Sequence, residues 1–192
     1  MRLKVLMLSK ACVVGAYQRK LEEMVTAASD LELIVAVPPF WRDERGKVAL
    51  ERAHLEGYQL HVLPVIFNGW FHIHFYPTLG HLLRQIKPDI VHIDEEPYNL
   101  ATYHANRLAR RRGTKTLWFS WQNLLRHYPP PFSWMEAYNL NHVEYVIAGS
   151  QSAAQVWRAK GYAGPLAIIP QFGVDAHLFR PPDDPGRRHK RV

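Results

Sequence analysis

Cysteine is nearly missing from these 192 residues: Cys12 stands alone. One thiol excludes an internal disulfide framework, and no early segment joins a basic start, a long apolar stretch and a small-residue cleavage site. Both point to a reducing, cytoplasmic compartment. Long hydrophobic runs are lacking too. LELIVAV (31–37) and PLAIIP (165–170) are strand-length and fall short of the roughly 18 consecutive apolar residues of a membrane span. G-x-G-x-x-G does not follow the first apolar run, which disfavours a dinucleotide site, and neither the P-loop nor the G-x-S-x-G elbow occurs. No internal repeat or low-complexity tract interrupts the chain.

What is there fits one globular domain: 47% hydrophobic and 21% charged residues over 192 positions, within the roughly 100–200 residues common for a domain. The 24 Lys and Arg exceed 17 Asp and Glu, leaving +7 and favouring anionic partners such as phosphates, acidic lipid or nucleic acid. Arg187, Arg188, Lys190 and Arg191 carry part of that excess at the end of the chain. Arg107, Arg110, Arg111 and Arg112 close a predicted helix, where the macrodipole attracts cations without any ligand. Charge alone therefore does not make a nucleic-acid binder.

Apolar runs and amphipathic segments alternate. RLKVLMLS reads as a buried strand, and Leu21, Met24, Val25 and Ala28 follow at helical spacing. Strands are expected at ELIVAVP, YQLHVLPV, DIVHID, KTLWFSW, YVIAGS and LAIIP, and helices at PTLGHLLRQIK, NLATYHANRLARRRG, FSWMEAYNLNH and SAAQVWRAKG. Such alternation predicts an α/β fold, a mostly parallel sheet with helices on both faces. Pro88 stops one helix near Lys87, and Gly113 and Gly161 sit where helices end. RDERGKVALERAHLEG (42–57) reads as a charged crossover with some helix, and FNGWFHIHFYP (67–77) as an extended loop or short hairpin.

Ligands of an open parallel sheet collect beyond the carboxyl ends of its strands. Gly15 follows the first strand and opens a helix whose free N–H groups could receive an anion; turn geometry alone is the alternative. Asp94, Glu95 and Glu96 put three carboxylates at a strand end, able to accept sugar hydroxyls, act as a base, bind a metal, or cap the next helix electrostatically. His72 and His74 add a ligand-like pair, although alternate histidines in an aromatic segment more often stack or face solvent. Gln122, Asn123, Arg126 and His127 form the most polar group directly following a strongly apolar strand, with paired donors and acceptors suited to hydroxyl-rich or phosphorylated ligands; a capping Asn123 and a solvated Arg126 are the bland reading. Ser150 fits a helix N-cap.

The order KVLMLS…G, PDIVHIDEEP, TLWFSWQN, VEYVIAGSQSAAQVWRAKGY and IIPQFGVDAHLF resembles the amino-terminal half of family-4 glycosyltransferases, enzymes of the GT-B architecture, over roughly residues 1–181. The resemblance implies a retaining enzyme with two facing Rossmann-like domains, the first holding the acceptor and the second most of a nucleotide-sugar donor. It implies no resident cofactor and generally no metal. The loop at Gly15 would touch donor phosphate or acceptor, and Glu95, Glu96, Asn123 and Arg126 would line the acceptor side of the cleft. Gln122 falls where many members carry a histidine and becomes the candidate catalytic residue; glutamine cannot titrate, yet it can hydrogen-bond a sugar hydroxyl or developing charge. Glu136 and Glu144 have the family's Glu-x7-Glu spacing, but they straddle a predicted helix and strand instead of following a glycine-rich loop, so the pair reads as coincidence.

On this reading residues 1–180 form the amino-terminal domain, and 181–192 are a linker toward a donor-binding domain that is not in the sequence. The chain alone is expected to be inactive. A sugar or lipid-linked acceptor would allow peripheral contact with the inner face of a membrane. The rival class is a free-standing binding module for anionic lipid or nucleic acid, with Trp41, Trp70, Phe71 and Phe75 as insertion or stacking groups.

Overall fold

The apolar runs do form strands, and their alternation separates two cores. A computed structural model of the chain describes residues 2–44 and 46–174; the linker expected at 181–192 lies outside the described residues. The first strand, β1 (Leu3–Leu8), leads through a 3-10 turn (Ala11–Val13) into α1 (Gly15–Ala27) and then β2 (Leu31–Val37). On β1 and β2, Leu6, Leu8, Ile34 and Ala36 face one core, while Val5, Met7, Leu33, Val35 and Val37 face the other. This is the period of two that a strand imposes. Leu21 of α1 closes the second core. The first core takes Leu79, Leu82 and Leu83 of α2 (Leu79–Ile86), Ala101, Ala105 and Ala109 of α3 (Leu100–Arg110), and Trp157 of α5 (Gln151–Ala159). Burying each large apolar side chain stabilises the fold by about 1.5–3 kcal/mol.

The remaining strands are β3 (Phe40–Asp43), β4 (Gly46–Ala49), β5 (Gln59–Val62), β6 (Ile90–Ile93), β7 (Lys115–Ser120), β8 (Tyr145–Ala148) and β9 (Leu166–Ile168), with α4 (Phe132–Asn141) between β7 and β8. Seven strands form one sheet in the order β5-β2-β1-β6-β7-β8-β9, every adjacent pair parallel. The chain starts at β1, winds outward through β2 and β5, and returns to lay β6 on the other side of β1. The winding direction therefore reverses between β1 and β6, where open sheets of this kind form their ligand crevice.

One expectation is corrected. The charged crossover contains no helix among its described residues; β3 and β4 pair antiparallel as a separate hairpin, Phe40 opposite Ala49 and Trp41 opposite Val48. Its alternation of Trp41 and Val48 with charged neighbours is a strand pattern diluted by a polar turn. The segment that follows it is an irregular loop bridged once, antiparallel, between Ile66 and Phe75. The helix ends agree with the expected stops: Lys87 takes a left-handed conformation before Pro88, Gly113 and Gly161 adopt φ of +70° and +93°, and the Ser150 hydroxyl accepts the Ala153 N–H at 3.2 Å. Three of the clustered arginines also serve structure. Arg107 donates to Tyr103, Arg110 to the His142 carbonyl, and Arg112 to the carbonyls of Leu108 and Gly80.

Candidate functional site

Three consecutive carboxylates leave β6 at the switch point, and the fold treats each differently. Asp94 accepts the Ser9 hydroxyl at 2.7 Å and the Gln171 amide at 2.7 Å, with Lys20 of α1 3.6 Å away. It ties the end of β1 to the segment after β9. Glu95 turns inward, fully buried, into an ion pair with the Lys10 ammonium, and also accepts the Lys10 N–H at 3.3 Å. His74 Nε2 stands 3.6 Å from the same carboxylate. Burial pushes the Glu95 carboxyl up, but Lys10 and His74 outweigh it and hold it down at about 2.

Glu96, unlike Glu95, is only half-buried as a residue. Its carboxylate accepts the Ser120 hydroxyl at 2.5 Å and the Trp121 N–H at 2.7 Å, both from the end of β7. Burial raises its pKa to about 7, against the lowering effect of those donors and Lys10 and with Glu95 adding to the rise. Thus neighbouring residues of one strand end carry carboxyls of opposite character, one ionised throughout the neutral range and one able to gain or lose a proton near neutrality. Pairs pushed apart in this way are a mark of functional sites as well as of structural networks.

Ser120 also accepts the Gln122 N–H at 3.1 Å, so one hydroxyl joins Glu96 to Gln122. The Gln122 side chain donates to the Leu124 carbonyl at 3.1 Å, while its Oε1 is buried without a partner among the described residues. Asn123 and Arg126 are exposed in the loop beyond β7 and make no side-chain hydrogen bond among the described residues, although the Arg126 charge lies near the Tyr128 hydroxyl. The structure thus brings Glu95, Glu96 and Gln122 together and leaves Asn123 and Arg126 on the adjoining loop. Gly15 is held elsewhere: its N–H donates to the Glu51 carboxylate at 2.5 Å, so this chain's own anion occupies the first free amide of α1. A Cβ there would meet Glu51 Oε2 at 2.7 Å and the Ala53 methyl at 2.8 Å, which explains glycine at that position.

Aromatic rings wall the crevice. The Lys10 ammonium lies over Phe71 at 4.6 Å and Trp41 at 5.5 Å, and Trp41 meets the buried His74 edge-on. Tyr98 and Tyr128 stack at 4.2 Å, with His72 packed among them and Phe132. The two histidines noted in the sequence therefore part company, His74 to the buried network and His72 to the aromatic wall. No group of three or more His, Cys, Asp or Glu among the described residues is placed to hold a metal ion. Glu136 pairs with Lys160, and Glu144 accepts the Thr116 N–H at 2.6 Å and faces Arg110, so both serve the packing of α4 and β7.

Lys10, Ser120, Trp121 and Gln171 were not singled out as site residues from sequence. Lys10 and Ser120 had a usable signal, since each sits at the carboxyl end of a strand next to β6 in the sheet. Gln171 also follows a strand, β9, but its pairing with Trp121 Nε1 and Asp94 depends on how the segment after β9 turns back across the strand ends.

With this geometry in place, comparison with known proteins identifies its kind. The sequence profile of Glycosyltransferase Family 4 matches residues 23–177. No curated protein sequence matches the chain. Among solved structures, a UDP-N-acetylglucosamine 2-epimerase superimposes with a TM-score of 0.57 at 13% identity, over 88% of this chain and 48% of that one. The UDP-GlcNAc 2-epimerase of Neisseria meningitidis, bound to UDP-GlcNAc, gives 0.53 at 11% identity over 88% and 45%. Phytolacca americana UGT2, complexed with UDP-2fluoro-glucose and pterostilbene, gives 0.56 at 10% identity over 93% and 56%. At such identities the likeness establishes the fold, and the chain spans about half the length of these structures.

Proposed function

The chain belongs to Glycosyltransferase Family 4, and from that premise we propose that it forms the acceptor side of an enzyme that moves a sugar, with retention, from a nucleotide-sugar to a sugar or lipid-linked acceptor. The observation that carries the proposal is Glu96, a half-buried residue at the switch point whose carboxyl is oriented by Ser120 and Trp121 and poised near neutrality. Such a group both accepts and donates hydrogen bonds to sugar hydroxyls. Gln122 adds a carbonyl oxygen with no partner among the described residues, which a ligand hydroxyl would satisfy. Asn123 and Arg126 would complete the polar rim, and Glu95 would fix Lys10 and His74 beneath it.

Donor contacts come, in this proposal, from a second Rossmann-like domain, as the length of the matched structures suggests. The nucleotide-sugar is a substrate, and no resident cofactor or metal is assigned. A lipid-linked acceptor would bring the protein to a membrane surface through Phe67 and Trp70, which are 53% and 67% exposed beside the β3–β4 hairpin. No helix among the described residues is long and apolar enough to cross a membrane.

Saturation-transfer NMR with glucose, mannose and N-acetylglucosamine, each with and without UDP, tests the division of labour. The expected result is sugar contact with the chain that weakens at least several-fold in Glu96→Gln, with no contact from UDP. Sustained, acceptor-dependent nucleotide release by the 192-residue chain alone would overturn it.

A further inference from the structure

At the opposite end of the sheet, the starts of β1, β6 and β7 frame an open cavity of about 730 Å³. Five cations line it, Arg2, Arg84, Lys87, Arg112 and Lys115, against one carboxylate, Asp89. Leu3, Leu83, Pro88 and Ile90 supply its apolar surface.

Helix ends account for part of this charge. α2 and α3 both finish here, and Arg112 donates to the carbonyls of Leu108 at 2.8 Å and Gly80 at 3.2 Å. Each helix C-terminus presents about half a negative charge. Two ends and Asp89 therefore offset about two of the five cations, leaving an excess of about three. The Asp89 carboxylate is itself engaged, accepting the Lys4 N–H at 2.8 Å. The side chains of Arg2, Arg84, Lys87 and Lys115 have no hydrogen-bond or ion-pair partner among the described residues. They converge from four different segments: the approach to β1, the last turn of α2, the turn after it, and the start of β7. Like charges gathered from separate segments repel one another, and an anion between them relieves that repulsion.

We propose that this cavity is a second ligand site, remote from the crevice, for a compound bearing a diphosphate group. The residual charge matches that of a diphosphate near neutrality, and the apolar surface suits the organic portion such a group carries. A soluble diphosphate and the clustered phosphates of a lipid surface present the same chemistry.

Two probes separate these sources: inorganic pyrophosphate, followed by calorimetry, and phosphatidylcholine vesicles containing cardiolipin, followed by sedimentation. Each is applied to the chain, to Arg84→Gln/Lys87→Gln/Lys115→Gln, and to the charge-matched control Arg19→Gln/Lys47→Gln/Arg107→Gln. All six positions are surface-exposed or nearly so, and unfolding curves confirm that both variants remain folded. The cavity variant should bind about tenfold more weakly than the control. That difference with pyrophosphate identifies a soluble ligand; the same difference with vesicles alone identifies a lipid surface. Equal losses in the two variants, an unaltered cavity variant, or no binding of either probe by the parent chain would each overturn the proposal.

Discussion

The two ends of the sheet handle charge in opposite ways. At the crevice end, Asp94 and Glu95 are buried and bound by Ser9, Gln171, Lys10 and His74. At the other end, Arg84, Lys87 and Lys115 stand exposed without partners among the described residues. Desolvation makes the difference. A charge taken out of water must be paired, whereas an exposed one keeps its hydration and can wait for a ligand. Stability should therefore respond steeply to substitutions at the first end and little at the second, while anion affinity should do the reverse.

The largest effect is expected from Lys10→Met, which leaves Glu95 ionised and buried without its ammonium. A loss of about 3–4 kcal/mol in urea unfolding is expected, much of it recovered in Lys10→Met/Glu95→Gln. Acid titration should show the same pair. Because the folded pKa of Glu95 is depressed to about 2 from an ordinary 4.5, its stabilisation is complete above the ordinary value and fades as pH falls toward the folded one. A loss below about 1 kcal/mol would mean that the pair behaves as a surface bridge and would dissolve the contrast between the two ends.

Glu96 sharpens the contrast within the crevice itself. Its pKa is raised from 4.5 to about 7, so the folded chain holds a proton that the unfolded chain has released across that window. Stability then falls as pH rises from the lower value to the upper. Glu96→Gln, which resembles the protonated carboxyl, should match the parent near pH 4 and exceed it by about 1–2 kcal/mol near pH 8, allowing for partial solvent screening. Unfolding at several pH values measures this gap, and a constant difference would show that Glu96 does not titrate in the window.

These contrasts were only partly legible in the sequence. Parallel strands covered on both faces appear as short apolar runs, so Leu3–Leu8, Leu31–Val37 and Lys115–Ser120 stood out, as did Glu95 and Glu96 at a strand end. The β3–β4 hairpin was hidden because it lies outside the main sheet and its short apolar pairs, Phe40 with Ala49 and Trp41 with Val48, are joined by a charged turn. Pairing across the switch point was hidden for another reason. Lys10 and Glu95 lie 85 positions apart, and their meeting depends on β6 lying beside β1 in the observed register, Leu8 opposite Ile93. Strand order is a global property, and no local pattern around either residue encodes it.

Smaller effects test the borders of the two regions. Gly15→Ala forces a methyl against the Ala53 side chain and the Glu51 carboxylate that caps α1. A loss of about 1–2 kcal/mol is expected, with Glu51→Ala in the same background restoring part of it by making room, as a double-mutant cycle would show. The smallest effect belongs to the basic cavity. Arg84→Gln/Lys87→Gln/Lys115→Gln removes three unpartnered exposed cations, and the expected change in unfolding free energy is within about 0.5 kcal/mol. At low salt that change should be toward greater stability, since it relieves repulsion, and added salt should erase it. A destabilisation of about 1 kcal/mol or more would mean that these side chains hold the starts of the strands together, and the charge at this end would then be structural like that of the crevice.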